Sequence, residues 1–378
     1  NKELIHMQLA FELSGEHETL PKSEVLACLR ALNISYAEKT FSYGILVIDV
    51  QLSPGGKALN VLSKRLGMTH YIYEIRGESK PKPKKAEEIL ALIKNADIHG
   101  IMKQERTFAV RVRVKQKGTP SLFLSEGKRP LPSKRDLERK AGELIKRKGY
   151  EVNLTNPAKI FVLLFAKNTC FLCLLVHSAD KKQFGGRRPH LRPFFLPGVI
   201  TPKIARALVN LSEIKEGGGV LLDPFCGTGG ILIEAGLIGS ATTLVGIDVQ
   251  EKVARGAETN LRFYGLDANL VVGDASKMAL RDDSVDAIVT DPPYGRSSLV
   301  SGAGYIKAES RSLFRERLYQ NALAEFHRVL KKRGKVVVIS NSDSIYSLSR
   351  EYGFRILDRC KYRVHKSLSR YIAVLEKQ

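Results

Sequence analysis

A carboxylate, a prolyl carbonyl and an aromatic ring follow one another in Asp291-Pro292-Pro293-Tyr294-Gly295. The apolar run from Ser284 to Thr290 leads into them and reads as a buried strand running into a tight turn. Two consecutive prolines bar helix at the residue before them and remove two backbone donors. Asp291 and Pro292 therefore leave the strand rigidly, with their C=O groups free to accept. Carboxylate, fixed carbonyl and aromatic face can together grip a planar base bearing an exocyclic NH2. A strand end closed by a turn is the plain alternative, and the residues upstream decide between the two.

Upstream, the strand candidate Val220–Leu222 enters Asp223-Pro224-Phe225-Cys226-Gly227-Thr228-Gly229-Gly230 and then a helix. The glycines permit a turn tight enough for backbone amides to approach a ligand. A dinucleotide fingerprint would need glycine where Leu232 stands, and the Lys-Ser/Thr pair of a P-loop is absent. The next strand ends in Asp248, 25 residues after Asp223, where an acid suits two vicinal ribose hydroxyls. The third ends in Gly273-Asp274-Ala275, where a carboxylate can accept from an adenine NH2, and the fourth ends in Asp291. Any one of these is weak, because Asp often ends a strand. Four in succession form one rim.

A nucleoside with a polar, phosphate-free tail matches S-adenosylmethionine. The rim resembles the class I methyltransferase family, and D-P-P-Y resembles its amino-group branch. The resemblance implies that Asp223 and the turn Gly227, Thr228, Gly229 and Gly230 hold the methionyl part. It implies that Asp248 holds the ribose and Asp274 the adenine, with Thr201, Cys226, Val249, Ala275 and Asp291 completing the cofactor site. Asp291, Pro292, Pro293 and Tyr294 would hold the target amine. The lone pair of such an amine is delocalised into its ring. Hydrogen bonds from the NH2 to Asp291 and to the Pro292 carbonyl would turn the nitrogen towards tetrahedral geometry, and Asp291 can take the released proton. Tyr294 would stack on the base, which must leave any duplex first. No metal is required.

The elements that must position this rim follow from the pattern. From Pro197 onward, helices and strands alternate: Pro202–Leu211, Val220–Leu222, Ile231–Ile238, Thr243–Ile247, Gln250–Tyr264, Asn269–Val272, Val285–Thr290, Leu313–Leu330 and Val336–Ile339. A short helix near Ser344–Tyr352 and the strands Phe354–Arg363 and Ser369–Leu375 end the chain. Such alternation predicts an α/β, Rossmann-like doubly wound sheet with ligands at its strand C-termini. Residues 1–76 read as a small α+β unit of ferredoxin-like kind, without a catalytic constellation. The helix Ala86–Asn95 follows the proline-punctuated joint Lys80–Lys84. Phe108–Lys115 alternates apolar and basic residues, so Arg111, Arg113 and Lys115 share a face. The helix Lys134–Lys148 adds Arg135 and Arg139. Two apolar strands, Lys159–Ala166 and Thr169–Ser178, close this segment. The Gly/Pro-broken joint 179–196 carries Arg187, Arg188 and Arg192.

The 378 residues exceed one ordinary core, so two or three domains are expected. Lys+Arg number 61 against 39 Asp+Glu, a net charge of +22 that points to a polyanionic partner, most simply nucleic acid. Residues 77–150 hold 20 basic and 9 acidic side chains, half of that surplus. Parallel basic faces on a strand and a helix suit a phosphate-tracking surface; charged faces of a solvated layer are the alternative. The five cysteines are odd in number and scattered, which argues for a reducing cytoplasm rather than disulfides. Cys170 and Cys173 have metal-ligand spacing, but they lie in an apolar run with no second pair, so they read as buried strand residues. No apolar run reaches membrane-spanning length, and no secretory signal opens the chain.

One closer resemblance covers most of the chain. The run Asp291–Ser298, preceded by Arg188-Pro189-His190-Leu191-Arg192-Pro193-Phe194-Phe195-Leu196-Pro197-Gly198, is similar to the archaeal and eukaryotic tRNA guanosine-10 N2-methyltransferases. The resemblance implies a ferredoxin-like domain (1–76), a THUMP domain that binds tRNA (77–178), a linker (179–196) and a class I methyltransferase domain (197–378). It also implies a monomer, with a small activator subunit as a candidate partner. Methylation of another RNA or DNA base, or a catalytically inactive tRNA-binding role, stands as the alternative. The Gly/Ser-rich run Gly295–Tyr305 reads as a lid or a plain loop.

Overall fold

The computed structural model describes residues 4–53, 56–79, 86–115, 132–166, 169–180, 182–239, 241, 243–293, 308–365 and 368–378. The chain divides into two compact units: residues 1–15, 34–59 and 69–179, and residues 16–33, 60–68 and 180–378. The N-terminal elements are β1 (Ile5–Leu13), α1 (Leu20–Ala31), β2 (Ser35–Ser42), β3 (Ile45–Leu52), α2 (Lys57–Arg65) and β4 (Thr69–Glu78). Pro21 stands in the first turn of α1, where its missing N–H costs no helical bond. Tyr43 and Gly44 take φ of 51° and 75°, the two left-handed residues that a tight β2–β3 hairpin demands.

Next come α3 (Ala86–Asn95), α4 (Ile98–Met102), β5 (Thr107–Lys115), α5 (Lys134–Lys146), β6 (Glu151–Val152), β7 (Lys159–Ala166) and β8 (Thr169–Ser178). The eight strands form one sheet in the order β2-β3-β1-β4-β8-β7-β5-β6, which joins strands from residues 1–76 to strands from 77–178. Helix α4 has no counterpart in the sequence reading. Its five residues are too few for a periodic signal, although Asp97 caps it by accepting from the Gly100 N–H at 2.9 Å. Ile89, Ile93, Leu137, Ala141 and Ile145 of the helices bury one sheet face with Phe108, Phe161 and Cys170. Cys173 packs in a different cluster, with Ala10, Val47 and Tyr73. Residues three apart on a strand face opposite ways, so Cys170 and Cys173 cannot ligate one ion. Burial pushes both thiols up, away from the thiolate form.

The second unit carries α6 (Pro202–Leu211), β9 (Val220–Asp223), α7 (Gly230–Leu237), β10 (Thr243–Asp248), α8 (Glu251–Phe263), β11 (Asn269–Val272) and β12 (Val285–Thr290). It continues with α9 (Ala308–Val329), β13 (Leu330–Ser340), α10 (Ile345–Glu351), β14 (Phe354–His365) and β15 (Leu368–Lys377). The sheet order is β11-β10-β9-β12-β13-β15-β14. Strands β9 to β13 pair in parallel, while β15 runs antiparallel to both β13 and β14. The order reverses between β9 and β12, and that reversal opens a crevice at their carboxyl ends.

Helix α1 packs on α6 inside this unit. Leu20, Ala27 and Met68 share a core cluster with Leu208, Leu211 and Ile372. Beneath it lies a buried polar network. Glu24 Oε1 accepts from the Gly67 N–H and from Asn210 Nδ2, both at 2.8 Å, and Oε2 accepts from the Met68 N–H at 2.8 Å. Arg65 donates to Asn210 Oδ1 at 3.2 Å and to the Ile214 carbonyl at 3.0 Å. Glu24 and Asn210 are 0% exposed, so these partners replace water entirely.

Candidate active site

Parallel pairing sets the carboxyl ends of β9, β10, β11 and β12 along one edge. Asp223 and Asp248 are the last residues of β9 and β10, Asp291 follows β12 directly, and Asp274 stands two residues beyond β11. The rim expected from sequence is thus assembled. Asp223 is buried, and its Oδ1 accepts from Thr290 Oγ1 at 2.8 Å and from the Phe225 N–H at 3.2 Å. Burial pushes its pKa up to about 7, against the pull of those two donors. Asp248 accepts from the Gln250 N–H at 2.9 Å and from the Gly227 N–H at 3.2 Å; burial again raises it. Asp274 accepts from the Ser276 N–H at 2.8 Å. Beside Asp248, Val249 leaves 70% of its apolar surface exposed, while Ala275 is buried.

The turn between β9 and α7 depends on backbone freedom. Gly227 and Gly229 have φ of 52° and 78°, which β-carbon-bearing residues rarely adopt. The Cys226 N–H reaches back to the Ile247 carbonyl at 2.9 Å and ties the turn to β10. A β-carbon on Gly230 would stand 3.3 Å from Arg192 Nη1 and 3.5 Å from Ile200 Cγ2. Thr201, exposed at the start of α6, follows that Ile200. A close backbone turn, two rim carboxylates and an exposed apolar side chain next to them fit a nucleoside with an aminoacyl tail. The residues present therefore fit S-adenosylmethionine.

Sequence reasoning missed Asn260. Its buried Nδ2 donates to the Thr228 carbonyl at 3.0 Å and to the Phe194 carbonyl at 2.9 Å, while Oδ1 accepts from the Phe194 N–H at 2.9 Å. It thereby staples the 179–196 joint to the Gly-rich turn. The Phe194 ring occupies the space that a side chain at Gly256 would need, 2.2 Å from a built β-carbon. An asparagine inside a helix gives no signal of this from sequence.

Asp291 is held from β15, two positions along the sheet from β12. Arg370 Nη1, on β15, lies 3.1 Å from Asp291 Oδ2 and donates to Tyr362 Oη, on β14, at 3.2 Å. Burial pushes the Asp291 pKa up to about 6, and Arg370 opposes the rise. Pro292 is buried and Pro293 half-buried. Tyr294 and the run Gly295–Tyr305 lie outside the described residues. Among the described residues no His, Cys, Asp and Glu cluster suits a metal ion.

The basic candidates divide sharply. Arg113 forms a bidentate pair with Glu12 at 2.7 and 2.6 Å, and Lys115 reaches the same carboxylate at 3.0 Å. Three strands separate β1 from β5 in the sheet order, so the sheet must curl to bring them together. Burial opposes the charge of Glu12, but the bonds from Arg113 and Tyr73 and the nearby Lys115 hold its carboxyl below the ordinary value. Arg111 donates to the Val110 and Leu154 carbonyls, both at 3.1 Å. The strand face expected to track phosphates is thus largely spent on the protein itself, a correction to the sequence reading. Arg192 is corrected likewise: it is 5% exposed and packs behind the Gly-rich turn. Arg187 pairs with buried Glu234 at 2.8 Å, which Arg206 also binds at 2.7 Å. Arg135, Arg139 and Arg188 remain exposed.

One consequence is measurable at Asp248. Replacing it with Ala removes a carboxylate suited to two ribose hydroxyls and frees the Gly227 N–H. A charged hydrogen bond contributes about 1.5–3 kcal/mol, so the S-adenosylmethionine Kd should rise about 10- to 100-fold by titration calorimetry. An unchanged Kd removes Asp248 from the site.

Residues 189–371 match the RMKL-like methyltransferase domain family. The tRNA (guanine(10)-N2)-dimethyltransferase of Methanothermobacter thermautotrophicus is 34% identical, over 98% of this chain and 100% of its own length. The protein of the same description from Pyrococcus abyssi is 31% identical, over 97% and 98% of the two chains. The crystal structure of TrmN from Thermus thermophilus superposes with a TM-score of 0.52 at 20% identity, covering 98% of this chain and 100% of that one.

Proposed function

This chain belongs to the tRNA (guanine(10)-N2)-dimethyltransferase family, and from that premise we propose how its residues transfer methyl groups to the exocyclic N2 of guanosine 10 in tRNA. The activity is that of an S-adenosylmethionine-dependent tRNA guanine-N2 methyltransferase. The cofactor, when bound, supplies a methyl group already activated on a sulfonium. Asp223 and the Gly227–Gly230 turn would hold its methionyl part, Asp248 its ribose and Asp274 its adenine, with Thr201, Cys226, Thr228, Val249 and Ala275 around them. Asp291 and the Pro292 carbonyl accept from the two N2 hydrogens, which aims the nitrogen lone pair at the methyl carbon. Asp291 then holds the proton released from N2. Tyr294, outside the described residues, keeps the base-stacking role that the motif's resemblance implies. Positioning does most of the work.

The observation that carries this reading is the placement of Asp291 at the end of β12, on the same edge as Asp223 and Asp248. Its test is incubation with labelled S-adenosylmethionine and unmodified tRNA, with DNA and rRNA in parallel, followed by mass identification of the nucleosides. N2-methylated guanosine, mapped to position 10 of tRNA alone, supports the reading; label in DNA or rRNA overturns the substrate. A small activator subunit stands as the candidate partner of a monomeric chain, tested by assaying the purified chain alone and with it. All five cysteines are buried and free, in keeping with a reducing cytoplasm. No described helix is long and apolar enough to cross a membrane.

Residues 77–178 serve as the THUMP segment, and the exposed face of α5 with Arg135 and Arg139 is its tRNA contact. Arg139 also pairs with exposed Asp136 and Glu143, bonds that solvent screens and a phosphate can displace. Converting Arg135 and Arg139 to Ala should flatten the salt dependence of tRNA affinity by about 1–2 in log–log slope. Arg113→Ala should leave that slope unchanged, since its charge is already bound to Glu12. Equal slopes in all three proteins place the RNA surface elsewhere.

A further inference from the structure

We propose that Arg370 is a positioning residue for Asp291: anchored on Tyr362, it fixes both the orientation and the negative charge of the carboxylate that receives the target amine. The inference rests on the assignment of Asp291 above and deepens it. Three observations carry it. Arg370 Nη1 bridges Asp291 Oδ2 at 3.1 Å and Tyr362 Oη at 3.2 Å. Arg370 and Tyr362 are 9% and 6% exposed, so solvent does not screen the bridge. His17 and Tyr362 pack edge to face, with ring centroids 5.3 Å apart at 70°, which adds a packed neighbour to the anchor.

The chemistry requires such a partner. A carboxyl that is to take the N2 proton must be ionised, because the protonated form has already filled that place and offers one acceptor oxygen fewer to the amine. The surroundings of Asp291 work against ionisation. Its side chain is only about 15% exposed, and that burial raises its pKa; its charge in turn raises Asp223, buried at the end of β9. Arg370, on β15, faces it as a cation. Tyr362, on β14, is raised to about 12 by burial and stays neutral. His17 lies one ring further off; burial lowers its pKa, Glu16 raises it and Lys203 lowers it. An opposite charge at this range lowers a carboxylate pKa by about 1–3. With Arg370 in place Asp291 titrates near 6, just low enough to be ionised at neutral pH.

The bridge also explains a feature of the fold. Strand β15 enters between β13 and β14 and runs antiparallel to both. That insertion carries Arg370, 79 residues beyond Asp291 in sequence, to the rim.

The test is a single-turnover methylation rate against pH for the wild type and Arg370→Gln, with tRNA and S-adenosylmethionine saturating. The wild type should lose rate with a slope of one below about pH 6. In Arg370→Gln the acid limb should move up by about two pH units, so that the rate at pH 7 falls about 10-fold and most of it returns by pH 9. Arg370→Lys, which keeps the charge, should keep its limb near the wild-type position. S-adenosylmethionine Kd by calorimetry certifies folding; if the Gln variant fails that check, Arg370→Met takes its place. A neutral variant whose rate falls by the same factor at every pH overturns the proposal. So does a Lys variant whose limb shifts as far as that of Gln. A wild type that methylates no guanosine N2 overturns the assignment of Asp291 instead, and the two failures are distinguishable.

Discussion

Asp291→Asn is expected to lower the single-turnover rate by about 10²- to 10⁴-fold, the range of a positioned general base, while S-adenosylmethionine Kd stays within about threefold. The isosteric amide keeps the shape of the turn, which Pro292 and Pro293 hold rigid. It loses the second acceptor oxygen and cannot take the N2 proton. Cofactor affinity should survive because loss of the Asp291 charge relieves Asp223, whose pKa that charge helps to raise. Asp223 is then more readily ionised. A loss confined to rate marks a group that acts in the transition state rather than in uniform binding. Turnover within a few-fold of wild type would remove Asp291 from the chemistry.

Glu24→Ala is expected to destabilise the second unit by about 3–5 kcal/mol, the usual cost of removing one member of a buried charged network. The substitution leaves the Gly67 and Met68 N–H groups and Asn210 Nδ2 without this acceptor in a site closed to water. It also releases Asn210, which orients Arg65. Glu24→Gln should fall between wild type and Ala, since it keeps one acceptor oxygen but turns an amide donor towards existing donors. Denaturant unfolding of the three proteins checks the order; a loss below about 1 kcal/mol for Ala would show that the network is not closed to water. The effect reaches the cofactor site, because α6 packs on α7, and α7 begins at the Gly-rich turn. For the same reason residues 197–378 alone should fold poorly: they lack Leu20, Ala27 and Met68 from the core that α6 completes.

The placement of the rim was largely legible because it is local. Strand ends, glycine turns and the D-P-P-Y step are written in consecutive residues, and the parallel alternation places their ends on one edge. Helices and strands with strong periodicity also read well, down to the boundaries of β7, β8 and α6. Charge was less legible. The alternation of β5 set Arg111, Arg113 and Lys115 on one face, and the structure agrees on that face. Only the curl of the sheet revealed that Glu12 waits there, with three strands between it and β5 in the sheet order. Arg192 reads as a linker cation and is instead buried against Gly230.

The sequence by itself determined the doubly wound architecture, the acidic rim, the Gly-rich turn and the basic balance, since each follows from neighbouring residues or from their sum. The tertiary structure alone decided which charges remain available, which side chain faces Asp291, and where α1 is buried. Arg370, Asn260 and Glu24 act on groups 79, 32 and 186 residues away. Pairings at that range come from strand order and helix packing, and a local pattern of residue types carries no information about which distant surface will exclude water from a buried charge.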